Sequence, residues 1–221
     1  MYILDFAVVL ERWPELLVGC LATLGLACAG MALALVIGLG GVGLRQSHNM
    51  IAHAVVSTFV EVIRNTPFLV QIFFLFFALP YFGLVMSPTM TAVIALGING
   101  GAYAIEIIRG GVESIPQGQS EAGLALGLNR RQIFRFIILK PAVRAIYPAL
   151  TSQFILLTLT SAVCSSISAY ELTSVGQAID SDTFRSFEIY LTITMLYLLI
   201  SWLLMSLFVV ISRQAFSYPT K

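Results

Sequence analysis

The stretch SEAGLALGLNRR, Ser120 to Arg131, is the most informative part of this sequence, because it is a polar segment inside a strongly apolar chain. It carries a carboxylate at Glu121, continues through small residues and Leu, and ends in two arginines. Ala and Leu are good helix formers, so the pattern predicts a short helix over 117–128. The side chains of such a helix are mostly small. What contacts this helix has to be inferred from the rest of the sequence.

The composition places this segment in a membrane protein. Of 221 residues, 58% are hydrophobic and 10% are charged, and the mean hydropathy is +0.92. A soluble domain carries about 25% charged residues, so the chain is predicted to be an all-α integral membrane protein. A spanning helix needs about 20 apolar residues. Five candidate spans meet this length, at 16–44, 52–79, 88–112, 146–168 and 188–211.

These spans make residues 1–221 a single transmembrane domain, with 113–145 as its longest polar segment. The first residues, MYILDFAVVLERWP, mix apolar and charged side chains. They predict a short interfacial helix that ends near Pro14, with Trp13 at the level of the lipid headgroups. This start lacks a clear signal-peptide pattern, so we expect it to be retained in the mature protein.

The positive charges predict the orientation of the chain. With five spans the two termini lie on opposite sides of the membrane. One side then holds nine Lys and Arg residues, the other holds only Arg12 and Arg185, and Arg64 falls within a span. Cytoplasmic segments carry the excess of positive charge. We therefore expect residues 113–145 and the C-terminus to be cytoplasmic and the N-terminus to be outside.

Several kinds of chemistry have no signature here. The sequence contains no phosphate-binding GxxxxGK[ST] loop, no His/Glu metal constellation and no Gly-x-Ser-x-Gly turn. The chain is therefore not expected to be an enzyme, to hold a cofactor or to bind nucleic acid. Cys20, Cys28 and Cys164 are interpreted as small packed side chains, and His48 and His53 as interfacial anchors. Energy for any transport must come from a partner or from an ion gradient.

The second span contains FVEVIRNTPFLVQ, with two charges at helical spacing. Glu61 and Arg64 lie three residues apart, so they can form a self-neutralised pair on one helix face. Pro67 has no N–H to donate to the carbonyl of Ile63, and it disfavours helix at Thr66. The span is therefore predicted to kink or unwind over 65–67. Broken helices are where transporters place substrate and ion sites, which favours a function for Arg64 and Thr66.

The third and fourth spans carry further polar side chains. Asn99, Tyr103, Glu106 and Gly110 share one helix face, and Asn99 and Tyr103 are candidates to line a pathway. The alternative is that this face packs helices together, as we expect for Gly97, Gly100 and Gly101. In the fourth span Gln153 and Thr160 lie seven residues apart on one face. Hydroxyl groups in a span often bond to their own helix, whereas a primary amide needs external partners.

These motifs resemble the membrane subunits of ATP-binding cassette (ABC) importers. GGVESIPQGQSEAGLALGL is similar to their cytoplasmic Glu-Ala-Ala motif, here Glu121, Ala122 and Gly123, with Gly127 four residues further on. VIRNTPFLVQIFFLFFALP and INGGAYAIEIIRGG resemble the second and third spans of the branch that serves polar amino acids such as histidine, glutamine, glutamate, arginine and opines. The likeness runs over about 16–211, with the three motifs in order.

The resemblance implies a type I importer, or MetI-like, fold with five spans and a short cytoplasmic coupling helix between the third and fourth. It implies a second permease subunit, identical or homologous, and a cytoplasmic ATPase dimer that binds ATP and magnesium. A periplasmic or lipid-anchored binding protein would deliver the amino acid. The coupling residues would be Glu121, Ala122, Gly123, Gly127 and Leu128. The substrate pathway would include Arg64, Thr66, Asn99, Tyr103, Gln153, Thr160 and Ser161.

The sequence departs from the family pattern at three places. Gly123 replaces the second Ala of the motif, and Pro141 lies one position later than the usual Leu-Pro, where we still expect a helix break. Thr160 and Gln153 stand where relatives carry acidic residues. A cationic substrate in the membrane wants a carboxylate, so a neutral or acidic amino acid is predicted over arginine or lysine. The alternative function is a stand-alone, gradient-driven carrier or channel that uses Glu61, Arg64 and Glu106 as a relay.

Overall fold

The computed structural model describes residues 4–45, 47 and 49–216, and His48 lies outside the described residues. These residues form helices and connecting turns, with no strand in the described ranges. The helices are α1 Ala7–Glu11, α2 Trp13–Arg45, α3 Met50–Arg64, α4 Phe68–Phe82, α5 Pro88–Glu113, α6 Gln117–Ala125, α7 Arg130–Ile167, α8 Leu172–Thr183 and α9 Ser186–Ala215. Four of them are long and apolar enough to cross a membrane, and α3 with α4 makes a fifth candidate.

The second predicted span is broken, where the sequence predicts a kink or unwinding. Helix α3 ends at Arg64 and α4 begins at Phe68, with a bend of 109° between them. Residues 52–79 are therefore not one straight helix. Helix α4 is itself irregular, because its α-helical turns continue as a π-helix over Phe74–Ala78 and a 3₁₀ turn over Leu79–Phe82.

The predicted helix break at Pro141 is wrong. Helix α7 begins at Arg130, sixteen residues before the predicted start of the fourth span at 146, and passes through Pro141. A π-helical stretch, Ile133–Ile138, ends three residues before the proline. Such widened turns are where a helix accommodates a local irregularity without ending. The second half of the segment 113–145 is therefore helix that continues into the fourth span.

Helix α5 is the centre of the fold and packs most extensively on α2. Glycines on both helices allow this approach. A Cβ at Gly101 would lie 2.6 Å from Ile37 Cγ2, and a Cβ at Gly38 would lie 2.7 Å from the Cβ of Ala104. The prediction that the glycines of the third span serve close helix packing agrees with this geometry. Because α5 is enclosed, its polar face is held in a defined position.

Helices α1 and α8 lie at the end of the bundle where α2 and α9 begin. Helix α1 matches the short helix predicted before Pro14, and the backbone N–H of Asp5 donates to Glu188 in the first turn of α9 at 2.9 Å. Arg12 forms an ion pair with Asp182 at 2.6 Å. Between the predicted spans 146–168 and 188–211 lies α8, a twelve-residue helix whose start is capped by the carboxylate of Glu171.

The cysteines and His53 complete the comparison with the sequence. Cys164 is fully buried and Cys20 is half-buried, as packed side chains should be. Cys28 is exposed on α2, so the interpretation as a packed side chain is wrong there. His53 is exposed in the first turns of α3, and its role as an interfacial anchor stays a prediction.

Candidate substrate pathway and coupling helix

The break between α3 and α4 is closed by side chains that replace missing backbone hydrogen bonds. Asn65 donates from Nδ2 to the carbonyl of Glu61 at 2.8 Å, and Thr66 donates from Oγ1 to the carbonyl of Val62 at 2.8 Å. The carbonyl of Ile63 would be the acceptor of a normal helical N–H at Pro67, which has none. It accepts instead from Nε2 of Gln71 at 2.7 Å.

Gln71 also connects this break to the third span. Its Nε2 group lies 2.9 Å from Oγ1 of Thr66, and its Oε1 accepts from Nδ2 of Asn99 at 3.0 Å. Sequence reasoning did not single out Gln71. The available signal was an amide four residues after a proline in an apolar run, since a buried amide needs partners. The structure thus brings Thr66 and Asn99 together through a residue that the pattern did not select.

Arg64 and Tyr103 form the second part of this cluster. The guanidinium of Arg64 lies over the ring of Tyr103, 5.2 Å from its centroid, which is a cation–π contact. Among the described residues Arg64 has no ion pair, so the hypothesis of a Glu61–Arg64 pair is wrong. The two side chains are both exposed on α3. We call Arg64, Thr66, Gln71, Asn99 and Tyr103 the break cluster.

Glu106 lies further along the same face of α5 and has other partners. One of its carboxylate oxygens pairs with Nη1 of Arg45 at the end of α2, and the other pairs with Nη2 of Arg109 at 2.7 Å. Arg109 also pairs with Glu113. These alternating charges form a ladder between α2 and α5. Glu106 is therefore committed to two arginines, which weakens the hypothesis of a relay through Glu61, Arg64 and Glu106.

The fourth-span candidates make no hydrogen bond to the break cluster within the described residues. Gln153 is 7% exposed and has no side-chain hydrogen bond there. It lies on the face of α7 between Ile146 and Leu157, which pack against Gly111 and Gly100 of α5. Ser161 is fully buried and donates to the carbonyl of Thr158 at 2.8 Å, so it satisfies its own helix. Thr160 is half-buried.

The coupling segment ends earlier than the sequence predicts. Helix α6 stops at Ala125 rather than Leu128, because Gly127 adopts a φ of 77°. The N–H of Gly127 donates to the carbonyl of Leu124 at 2.9 Å, and the N–H of Leu128 donates to that of Gly123 at 3.1 Å. This pair of bonds is a Schellman motif, which favours glycine at the left-handed position. Gly127 is thus the residue that ends the helix.

Gly123 faces the chain's own α7 rather than a partner. It is buried, and a Cβ there would lie 2.8 Å from Ile137 Cδ1 and 2.9 Å from Ile133 Cγ1. Glu121 and Ala122 are exposed beside it. Glu121 is the fifth residue of α6 and lies beyond the first turn, where the helix dipole would stabilise a carboxylate. Its exposed oxygens remain available to a partner.

Two charged groups at the α1–α8 end have perturbed pKa values. Burial raises the pKa of Glu171, which opposes the effect of hydrogen bonds from Tyr197 and from the backbone N–H groups of Thr173 and Ser174. Glu15 and Asp182 raise the pKa of Arg12. These groups fasten α8 to α2 and α9, and none of them lies in the break cluster.

Comparisons with known proteins agree with this architecture. A family model described as "Binding-protein-dependent transport system inner membrane component" matches residues 30–217. The glutamine transport system permease protein of Escherichia coli K12 is 40% identical over 202 residues, covering 90% of this chain and 92% of that protein. The L-cystine transport system permease protein of Bacillus subtilis 168 is 36% identical over 214 residues, covering 95% and 90% of the two chains.

Solved structures give the same fold. A crystal structure described as an amino acid ABC transporter with histidines matches with a TM-score of 0.91 and 32% identity, covering 96% of this chain and 100% of that chain. An inward-facing structure of a methionine ABC transporter matches with a TM-score of 0.76 at 22% identity, which concerns the fold alone.

These matches confirm the predicted type I importer fold. They also confirm that the chain is a transport subunit and not an enzyme, with ATP hydrolysed by a separate ATPase. An ATPase and a binding protein are the general partners of such a permease. The chain therefore belongs to the family of binding-protein-dependent transport system inner membrane components, as a multi-pass permease of an ABC importer.

Proposed function

We propose that this permease conducts a polar amino acid, neutral or acidic in preference to basic, into the cytoplasm. The observation that carries the proposal is the break cluster, where Arg64 is the charged residue and Gln71 and Asn99 supply amides. A guanidinium attracts the carboxylate of an amino acid, and Gln153 and Thr160 of the fourth span offer no carboxylate to a cationic side chain. The similarity to permeases named for glutamine and cystine supports the same substrate class.

The exposed polar side chains of the break also require a neighbour. Glu61, Arg64, Asn65 and Thr66 are exposed within the second candidate span. Charged groups in a membrane face a water-filled cavity or each other rather than lipid. A second permease subunit, either a copy or a homologue, would cover this surface and enclose the pathway. The N-terminus would lie outside and the C-terminus in the cytoplasm.

Coupling to ATP hydrolysis would pass through α6. An ATPase subunit, which binds ATP and magnesium, would contact the exposed residues Glu121 and Ala122, while Gly123 holds α6 on α7 and Gly127 with Leu128 fixes its end. Closure of the ATPase dimer would move α6, and α7 would move with it because the two helices are packed together. The relay of a stand-alone carrier has less support, because Glu106 pairs with Arg45 and Arg109 and Arg64 contacts Tyr103.

The test is uptake by the reconstituted complex of permease, ATPase and binding protein. Labelled glutamine or glutamate is expected to be taken up, and unlabelled arginine and lysine are not expected to compete with that uptake. Gln71→Leu removes the amide that fills the helix break and is expected to reduce uptake at least tenfold, with the protein still in the membrane. Uptake of arginine that neither glutamine nor glutamate inhibits would contradict the substrate preference.

The coupling proposal has its own variant. Glu121→Lys reverses an exposed charge on α6, so the fold should be unaffected while binding of the ATPase is lost. Substrate-stimulated ATPase activity and uptake are both expected to disappear. The matched control is Glu11→Gln, an exposed glutamate at the other end of the molecule. Normal coupled uptake in Glu121→Lys would refute the role of α6.

A further inference from the structure

A polar cleft lies beside the break cluster, next to Arg45. It has a volume of about 190 Å³ and is lined by Arg45, Ser57, Val60, Glu61, Arg64 and Glu106. Three elements contribute to it, namely the end of α2, the second half of α3 and the polar face of α5. Its lining is unusual for a membrane segment, because it includes two basic and two acidic side chains.

The charges in this cleft are not all used by the protein. Arg45 and Glu106 pair with each other. Glu61 forms no ion pair with any described residue, and Arg64 contacts the ring of Tyr103 but no carboxylate among them. The hydroxyl of Ser57 is buried without a hydrogen-bond partner in the same part of the chain. The cleft therefore presents an anion, a cation and an unsatisfied hydroxyl group.

This arrangement is costly unless something else satisfies it. Charged groups within a span destabilise the protein unless they meet water or a partner of opposite charge, and an unsatisfied buried hydroxyl adds to that cost. Glu61 and Arg64 are three residues apart on a helix, which would allow them to pair with each other. Instead the two side chains do not pair with each other. Each of them could therefore bind the opposite charge of a zwitterionic ligand.

We infer that this cleft is a subsite for the zwitterionic head group that all α-amino acids share. Arg64 would bind the α-carboxylate, Glu61 would bind the α-ammonium group, and Ser57 would provide a further hydrogen bond. The inference rests on the proposed function, since the ligand is the amino acid that the pathway conducts. It adds that the head group is recognised by charges on α3, separately from the amides of Gln71 and Asn99.

The test compares two ligands on the permease–ATPase complex in nanodiscs. L-Glutamine carries the full head group, and glutaramate is the same molecule without the α-ammonium group. Equilibrium dialysis with labelled ligands gives both Kd values. Glu61→Gln keeps the shape of an exposed side chain and is expected to raise the Kd of glutamine about tenfold, the size of a lost charge-assisted hydrogen bond. The Kd of glutaramate should not change.

The outcomes separate this inference from the proposed function. Equal weakening of both ligands by Glu61→Gln, or no weakening of glutamine, would overturn the subsite, as would a wild-type complex that does not bind glutamine. If amino acid uptake by the full complex persists in that case, the proposed function stands alone. If uptake is also absent, both fall. Glu11→Gln, whose carboxylate lies outside the cleft, should leave both Kd values unchanged.

Discussion

Gln71 contributes more to the helix break than its place in an apolar run indicates. It donates to the carbonyl of Ile63, which the imino group of Pro67 leaves without a donor, and it accepts from Asn99 on the third span. A single amide thus stabilises the break and fixes a neighbouring helix. Proline predicted the break from the sequence, but the residue that repairs it lies four positions later and is identified only by its contacts.

Gly123 allows α6 to pack closely on α7. Gly123→Val would place two methyl groups against Ile133 and Ile137, so α6 must shift away from α7. Overpacking of this kind costs about 1–3 kcal/mol. Thermal unfolding of the purified permease should therefore show a lower Tm. Gly118→Val on the same helix is the control, because nothing lies within 4 Å of a Cβ there. Equal Tm values for the two variants would contradict the packing of α6 on α7.

Pairs of helices are joined by two different devices. Helices α2 and α5 approach closely through glycines, and they are joined at one end by the charges of Arg45, Glu106 and Arg109. Helix α8 is instead fixed at its start by the capping carboxylate of Glu171, to which Tyr197 of α9 donates at 2.6 Å. Small residues allow contact along a length, whereas charges fix the register at one point.

The charge ladder predicts a measurable coupling between two elements. Arg45→Gln and Glu106→Gln each remove one partner of a partly buried pair. The double-mutant cycle should give an interaction energy of about 1–3 kcal/mol from the unfolding free energies in mixed micelles. The same cycle on the exposed pair Arg12 and Glu15 should give a smaller interaction energy, because solvent screens that pair. Additive effects at Arg45 and Glu106 would show that the pair does not hold α2 to α5.

The helices of the whole molecule differ in how much of their surface is buried. The central helix α5 is largely enclosed, because 61% of the residues in its most apolar 18-residue stretch are buried. In α9 the buried share of such a stretch is 17%. The apolar surface of α9 suits lipid, but the exposed charges of α3 do not. A single chain therefore leaves a polar surface that a second membrane subunit would cover, which is the reason to test this protein as part of its complex.

The orientation of the molecule can be tested with reporter fusions. The excess of Lys and Arg on one side predicts a cytoplasmic C-terminus and an external N-terminus. A fluorescent protein fused to the C-terminus should fluoresce, because it folds in the cytoplasm, and alkaline phosphatase fused there should be inactive. An active phosphatase at the C-terminus would reverse the predicted topology.

The class of the protein, the number of candidate spans and the position of the helix break could all be predicted from the sequence. These depend on apolar length, on charge and on the missing N–H of Pro67, which are local properties. The fold followed from motifs in order along the chain. The helical character of residues 172–183 was missed, because the start of this helix depends on contacts with distant elements. Leu172 donates from its backbone N–H to Thr23 of α2, and Glu171 accepts from Tyr197 of α9.

The contacts between polar side chains on different helices could not be predicted from the sequence. Helical spacing placed Glu61 beside Arg64 and grouped Glu106 with Tyr103, but the structure gives Arg64 to Tyr103 and Glu106 to Arg45 and Arg109. The pairing of side chains on different helices depends on how closely α2 and α5 approach and on the bend of 109° between α3 and α4. Periodicity within one helix carries no information about either, because both are set by contacts between distant residues.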